Sequence, residues 1–72
     1  MECTMHLPGI DGISNDKIAE FWRDLFDGEG IPYSIEFWPD GNYTMKVDEI
    51  HQASVYFFTD NDCIQNWAKC EY

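Results

Sequence analysis

The sequence predicts a small α+β domain: a helix, a three-stranded antiparallel sheet and a second helix in that order, with both helices on one sheet face. Three observations carry this. Ile18, Phe21, Trp22, Leu25 and Phe26 recur at the spacing of a single helical face. Three later segments alternate apolar and polar residues at the period of a strand. With 72 residues the chain makes one domain, 1–72, able to bury only about 60% of the surface its unfolded form exposes.

Residues 1–13 read as an arm or a short strand, because Cys3, Met5 and Leu7 alternate with Thr4 and His6 before Pro8, Gly9, Asp11 and Gly12 break the pattern. A helix over 14–27 follows, with Ser14 or Asn15 as its N-cap and Gly28 as its stop. Strands are expected over 33–38 and 42–48, joined at Pro39, Asp40 and Gly41. A two-residue turn would place Ile35 and Phe37 on the face away from Met45 and Val47. A three-residue loop, with Pro39 opening a type I turn and Gly41 left-handed, pairs Phe37 with Tyr43 and Ile35 with Met45, giving one apolar face. The third strand is expected over 53–59, after a short link. Asp60 or Asn61 then caps a helix over 61–70 in which Ile64, Trp67 and Ala68 share a face. This order resembles that of double-stranded-RNA-binding domains in topology alone, since the basic residues that would contact phosphates are absent.

Charge bounds the function more tightly than any motif. Fourteen Asp and Glu against four Lys and Arg give a net charge of −10, while 44% apolar and 17% aromatic residues set the chain apart from disordered acidic sequences. Four cations cannot neutralise a nucleic-acid backbone, so direct nucleic-acid binding is not expected, and an anionic membrane surface would repel the chain. Cys3, Cys63 and Cys70 are an odd set, and the N-terminal residues lack the basic and apolar regions of a signal peptide. The expectation is reduced thiols in a cytoplasmic protein.

The acidic residues are not spread evenly. At 100° per residue, Asp16, Glu20, Asp24 and Asp27 fall within an arc of about 80° opposite the apolar stripe, and the carboxylates of Asp16, Glu20 and Asp24, one turn apart, repeat about every 6 Å along the axis, close to the phosphate spacing of a nucleic-acid strand. Glu29 extends that surface into the exit loop. Like charges one turn apart destabilise a helix by a few tenths of a kcal/mol per pair. The plain alternative is a solvated face, although faces built for solubility usually mix both signs. A second set is aromatic: in the preferred register Trp38 points away from the core, and strand parity puts Tyr56 and Phe58 on the same face. Three rings there read as a contact patch unless another element covers them.

Other chemistry is not expected. The stretch from Asp27 to Ile31 has the glycine pattern of a calcium loop, but Leu25 occupies the first ligand position and a strand follows. The cysteines and histidines lack paired zinc-ligand spacing, and neither His6 nor His51 belongs to a catalytic signature. The sequence therefore predicts neither enzyme, cofactor nor metal site. It predicts an inhibitory binding protein that occupies the basic groove of a nucleic-acid-binding protein or nuclease, a composition shared by bacteriophage and mobile-element inhibitors of CRISPR, restriction or repair enzymes. The alternatives are an immunity or antitoxin protein blocking a basic toxin, and an accessory subunit using its aromatic face.

Overall fold

Residues 2–7 build a strand of the sheet. In the computed structural model, which describes residues 1–70 and the last of these by its backbone only, Glu2–Leu7 forms β1 and pairs antiparallel with Tyr43–Asp48, β3. Met5 lies opposite Met45 and Leu7 opposite Tyr43, so the alternation of β1 buries Met5 and Leu7 and exposes Thr4 and His6. Tyr33–Phe37, β2, pairs with the other edge of β3, which makes the strand order β1-β3-β2. The hairpin register is the expected one: Phe37 faces Tyr43 and Ile35 faces Met45. Its loop closes through the Gly41 amide donating to the Trp38 carbonyl at 3.1 Å, with Gly41 at φ 94° and the Asp40 carboxylate accepting from the Asn42 amide. Gly9 lies against this turn, where a Cβ would collide with the Gly41 carbonyl oxygen.

α1 spans Asn15–Glu29. Ser14 caps it by accepting from the Lys17 amide at 3.3 Å. It runs past Gly28 because the left-handed residue that ends it is Gly30, at φ 69°. The Gly30 amide donates to the Asp27 carbonyl and the Ile31 amide to the Phe26 carbonyl, satisfying two carbonyls that a helix end leaves open while Ile31 packs on the core.

Residues 53–59 are not a strand. β1 occupies the place at the edge of β3 that this segment was expected to fill, and the chain leaving β3 instead coils: the Asp48 carboxylate accepts from the Ile50 amide and starts a 3₁₀ turn over Glu49–His51 that runs into α2, Gln52–Asp60. The Glu49 amide donates to the Met1 carbonyl at 2.8 Å, fastening the N-terminus to the start of that turn. Asn61, expected to open the last helix, closes α2 instead through its side-chain amide on the Phe57 carbonyl at 2.8 Å. Asp62, at φ 54°, reverses the chain into α3, Cys63–Cys70. Aspartate tolerates that left-handed conformation better than most residues. The order β-α-β-β-α-α also parts the chain from the topology of double-stranded-RNA-binding domains.

One core joins all the elements. Met5, Leu7, Tyr43, Met45 and Val47 from the sheet meet Ile18, Phe21, Trp22 and Phe26 from α1, Val55 from α2 and Ile64 from α3, so the helices share one sheet face as the sequence predicts. Trp22, fully buried, donates its indole Nε1–H to the Tyr43 hydroxyl at 3.2 Å and packs on Phe21 and Phe26. Among the described residues, every buried side-chain nitrogen and oxygen has a hydrogen-bond partner. Cys3 and Cys63 are free thiols, each half-buried, and the Cys70 side chain lies outside the described residues.

Removing the Tyr43 hydroxyl strands a buried donor, so Tyr43→Phe is expected to lower unfolding free energy by about 1–3 kcal/mol, read as a shift of the urea midpoint at unchanged slope. Burial raises the Tyr43 phenol above its ordinary value, with the Trp22 bond opposing the rise. The folded state thus holds that proton more tightly than the unfolded chain. Stability from this group is intact below the ordinary tyrosine value of about 10 and is lost as pH climbs from there toward the folded value. Ultraviolet titration should show Tyr43 ionising late, together with alkaline unfolding.

Candidate functional site

The α1 stripe faces solvent as expected. Ile18, Phe21, Trp22 and Phe26 are buried, which turns Asp16, Asp24 and Asp27 outward to solvent and leaves Glu20 half-buried beside them. Glu29 is exposed at the helix end. Lys17 Nζ lies 3.9 Å from Glu20 and 5.6 Å from the centre of the Trp67 ring, while Arg23 Nε lies 3.9 Å from Asp24. Both ion pairs sit at the outer limit of contact distance on an exposed surface, where such pairs contribute at most about 1 kcal/mol. They moderate the row without cancelling it.

The far end of the row carries a second local cost. No basic residue stands in the last turn of α1, although Asp27 and Glu29 do, and acidic groups there oppose the negative end of the helix dipole. The field reaches β2. The Tyr33 phenol is raised first by burial and next by Asp27, with Asp24 adding and Arg23 opposing.

Trp38 belongs to a different surface. It stands on the sheet face away from the helices, 44% exposed, where its Nε1–H donates to Thr44 Oγ1 at 2.7 Å. The same hydroxyl lies 3.2 Å from His6 Nδ1, and Thr44 is the buried polar residue of the described chain although it faces outward. Exposed Glu2, Thr4, His6, Ser34, Glu36, Lys46 and Asp48 complete this face. Because α1 packs on the other face and turns its carboxylates outward, Trp38 and the acidic row lie on opposite sides of a two-layer domain. They do not form one site.

Tyr56 and Phe58, unlike Trp38, leave the position expected for them, since α2 lies on the helical side of the sheet. Phe58 belongs to the core, its ring edge-on to Phe21 at 6.2 Å and to Trp22 at 6.3 Å. Tyr56 is 44% exposed, and two residues that sequence reasoning passed over are more open still: Phe57 at 58% and Ile50 at 76%. The signal for them was present, because Ile50, Ala53 and Phe57 are spaced i, i+3 and i+7, as on one side of a helix.

A groove of about 450 Å³ opens between the β1–α1 loop and the α2–α3 junction, floored by Ile10, Phe58 and Ile64 and bordered by Asp11 and Asp62 with no Lys or Arg in its lining. Among the described residues, no cluster of three His, Cys, Asp or Glu could hold a metal ion. No helix of the described residues is long and apolar enough to cross a membrane.

Truncation separates the two α2 aromatics. Phe58→Ala should cost about 2 kcal/mol or more by emptying a half-buried ring site, and Tyr56→Ala should stay within about 0.5 kcal/mol, both measured by urea unfolding. Compared with protein-family models, curated proteins and solved structures, the chain matches none, so its function is argued from these surfaces alone.

Proposed function

We propose that the protein is a small inhibitory binding protein whose α1 face occupies the basic nucleic-acid-binding groove of a partner protein, of the kind that phages and mobile elements direct against CRISPR, restriction or repair enzymes in the host cytoplasm. One observation carries this reading: Asp16, Glu20, Asp24 and Asp27 line the solvent side of a helix whose other side is locked into the core. Asp16, Glu20 and Asp24 follow one another at a rise of about 6 Å on a support that cannot bend away from them. A basic groove gains affinity by releasing counterions to any polyanion of suitable spacing, and a helix held by tertiary packing loses less freedom on binding than a flexible strand.

The role is stoichiometric competition, so it needs no cofactor and no catalysis. Five of the fourteen acidic residues lie on α1, two of them in its last turn without a compensating cation. A helix selected only for its own stability gains nothing from that placement. A nuclease toxin's basic cleft would accept the same face, which keeps an immunity protein in the same mechanistic class.

The expected outcome is specific. With Asp16→Lys, Glu20→Lys and Asp24→Lys combined, the far-ultraviolet circular dichroism and urea midpoint should stay close to those of the parent, while binding to the partner captured from host lysate should be abolished. Parent binding should weaken steeply as salt rises and should be competed by duplex DNA or by RNA. A triple variant that binds normally, or a partner that holds the protein and its nucleic acid simultaneously, would contradict the proposal.

A further inference from the structure

α2 carries apolar residues on two sides, and one of those sides is uncovered. Here Val55 points into the core at full burial, whereas Ile50, Ala53 and Phe57 lie on the opposite side and are exposed. Ile50 precedes α2 in the 3₁₀ turn, yet at either helical pitch it projects about 120–140° away from Val55, and its 76% exposure agrees. The three side chains form a ridge about 10 Å long, two helical turns. A ridge spaced i, i+3, i+7 is what helix-on-helix recognition uses.

One flank of the ridge is charged. Glu49, Tyr56 and Asp60 run beside it at i, i+7 and i+11, all exposed; the Met1 ammonium lies 3.9 Å from Glu49, an exposed pair at the limit of contact distance, and neither the 3₁₀ turn nor α2 carries a Lys or Arg. This bears on the occupant. A second copy packed on the same ridge would bring these carboxylates toward one another in a molecule already at −10. A partner ridge flanked by Lys or Arg would satisfy them.

We infer that the exposed ridge of α2 is a docking surface for an amphipathic basic helix, with Ile50, Ala53 and Phe57 against that helix's apolar side and Glu49 and Asp60 against its cations. The inference rests on α2 and the 3₁₀ turn that leads into it, and does not require the acidic row of α1 to bind anything. It adds a contact that discriminates by shape, where a row of carboxylates discriminates by charge.

The test uses three synthetic peptides: an amphipathic helix of leucine and lysine, a lysine homopolymer of equal charge, and an amphipathic helix of leucine and glutamine. Titrated into the isotope-labelled protein, the leucine–lysine helix should shift the amide and ring resonances of Ile50, Ala53, Tyr56 and Phe57, while the homopolymer should leave them in place. Ile50→Ser with Phe57→Ser, both exposed positions whose fold is checked by circular dichroism, should weaken that binding roughly tenfold or more. Neutralising α1 with Asp16→Asn, Glu20→Gln and Asp24→Asn should change it far less. Shifts confined to α1, unchanged affinity in the serine variant, equal binding of the leucine–glutamine helix, or a dimer by sedimentation that the serine variant abolishes would each overturn the inference.

Discussion

The bond from Trp22 to Tyr43 holds the two layers of this domain in their mutual orientation. Trp22 lies at the middle of the buried face of α1, and Tyr43 opens β3, the strand on which both β1 and β2 depend for pairing. A buried indole with an unmade hydrogen bond is costly, so the rotation of α1 about its own axis has one satisfied setting. That setting turns the carboxylates of Asp16, Asp24 and Asp27 to solvent. The geometry of the candidate surface is thus a consequence of core packing, and the acidic row keeps its aim without any contact of its own to hold it.

The same two-layer arrangement divides the surface into regions with different chemistry. The helical side presents the α1 carboxylates, the α2 ridge and a groove bordered by Asp11 and Asp62. The open sheet side presents a polar face in which Trp38 has its indole N–H committed to Thr44. A single flat partner cannot cover Trp38 and the α1 row together. Trp38 therefore leaves the proposed interface, and its evident work is to close off the Thr44 hydroxyl beside His6. With a core this small, rings such as Phe58 are drawn inward to complete it, and only what the core does not need stays outside.

How much of this was legible in the sequence follows from the range of the forces involved. The α1 stripe and the Pro39-Asp40-Gly41 register were legible because each is decided within a few residues, by a 3.6-residue period and by a turn whose geometry leaves one apolar face. The third strand was not. Whether residues 1–13 or 53–59 pair with β3 is a non-local choice, and the stretch from Ala53 to Thr59 offers Val55 with Phe57 to a strand and Val55 with Phe58 to a helix. Local caps decided it: Asp48 on the Ile50 amide, then Asn61 on the Phe57 carbonyl. The helix end shows the same limit on a smaller scale, since Gly28 and Gly30 are equivalent as letters and only Gly30 takes the left-handed conformation. The α1 carboxylates and Trp38 lie where the sequence places them because the helix and the hairpin form as read, and Tyr56 and Phe58 moved because they rode on a strand that does not form.

The central claim is that the face of α1 away from the core is where a partner sits. Carbodiimide footprinting of carboxylates, read by mass spectrometry on the protein free and in its partner complex, addresses this residue by residue without altering the sequence. Protection is expected at Asp16, Glu20 and Asp24, with Glu36 on the open sheet face modified equally in both states. Protection of Glu36 with Asp16, Glu20 and Asp24 still reactive would place the partner on the opposite side of the domain and contradict the claim.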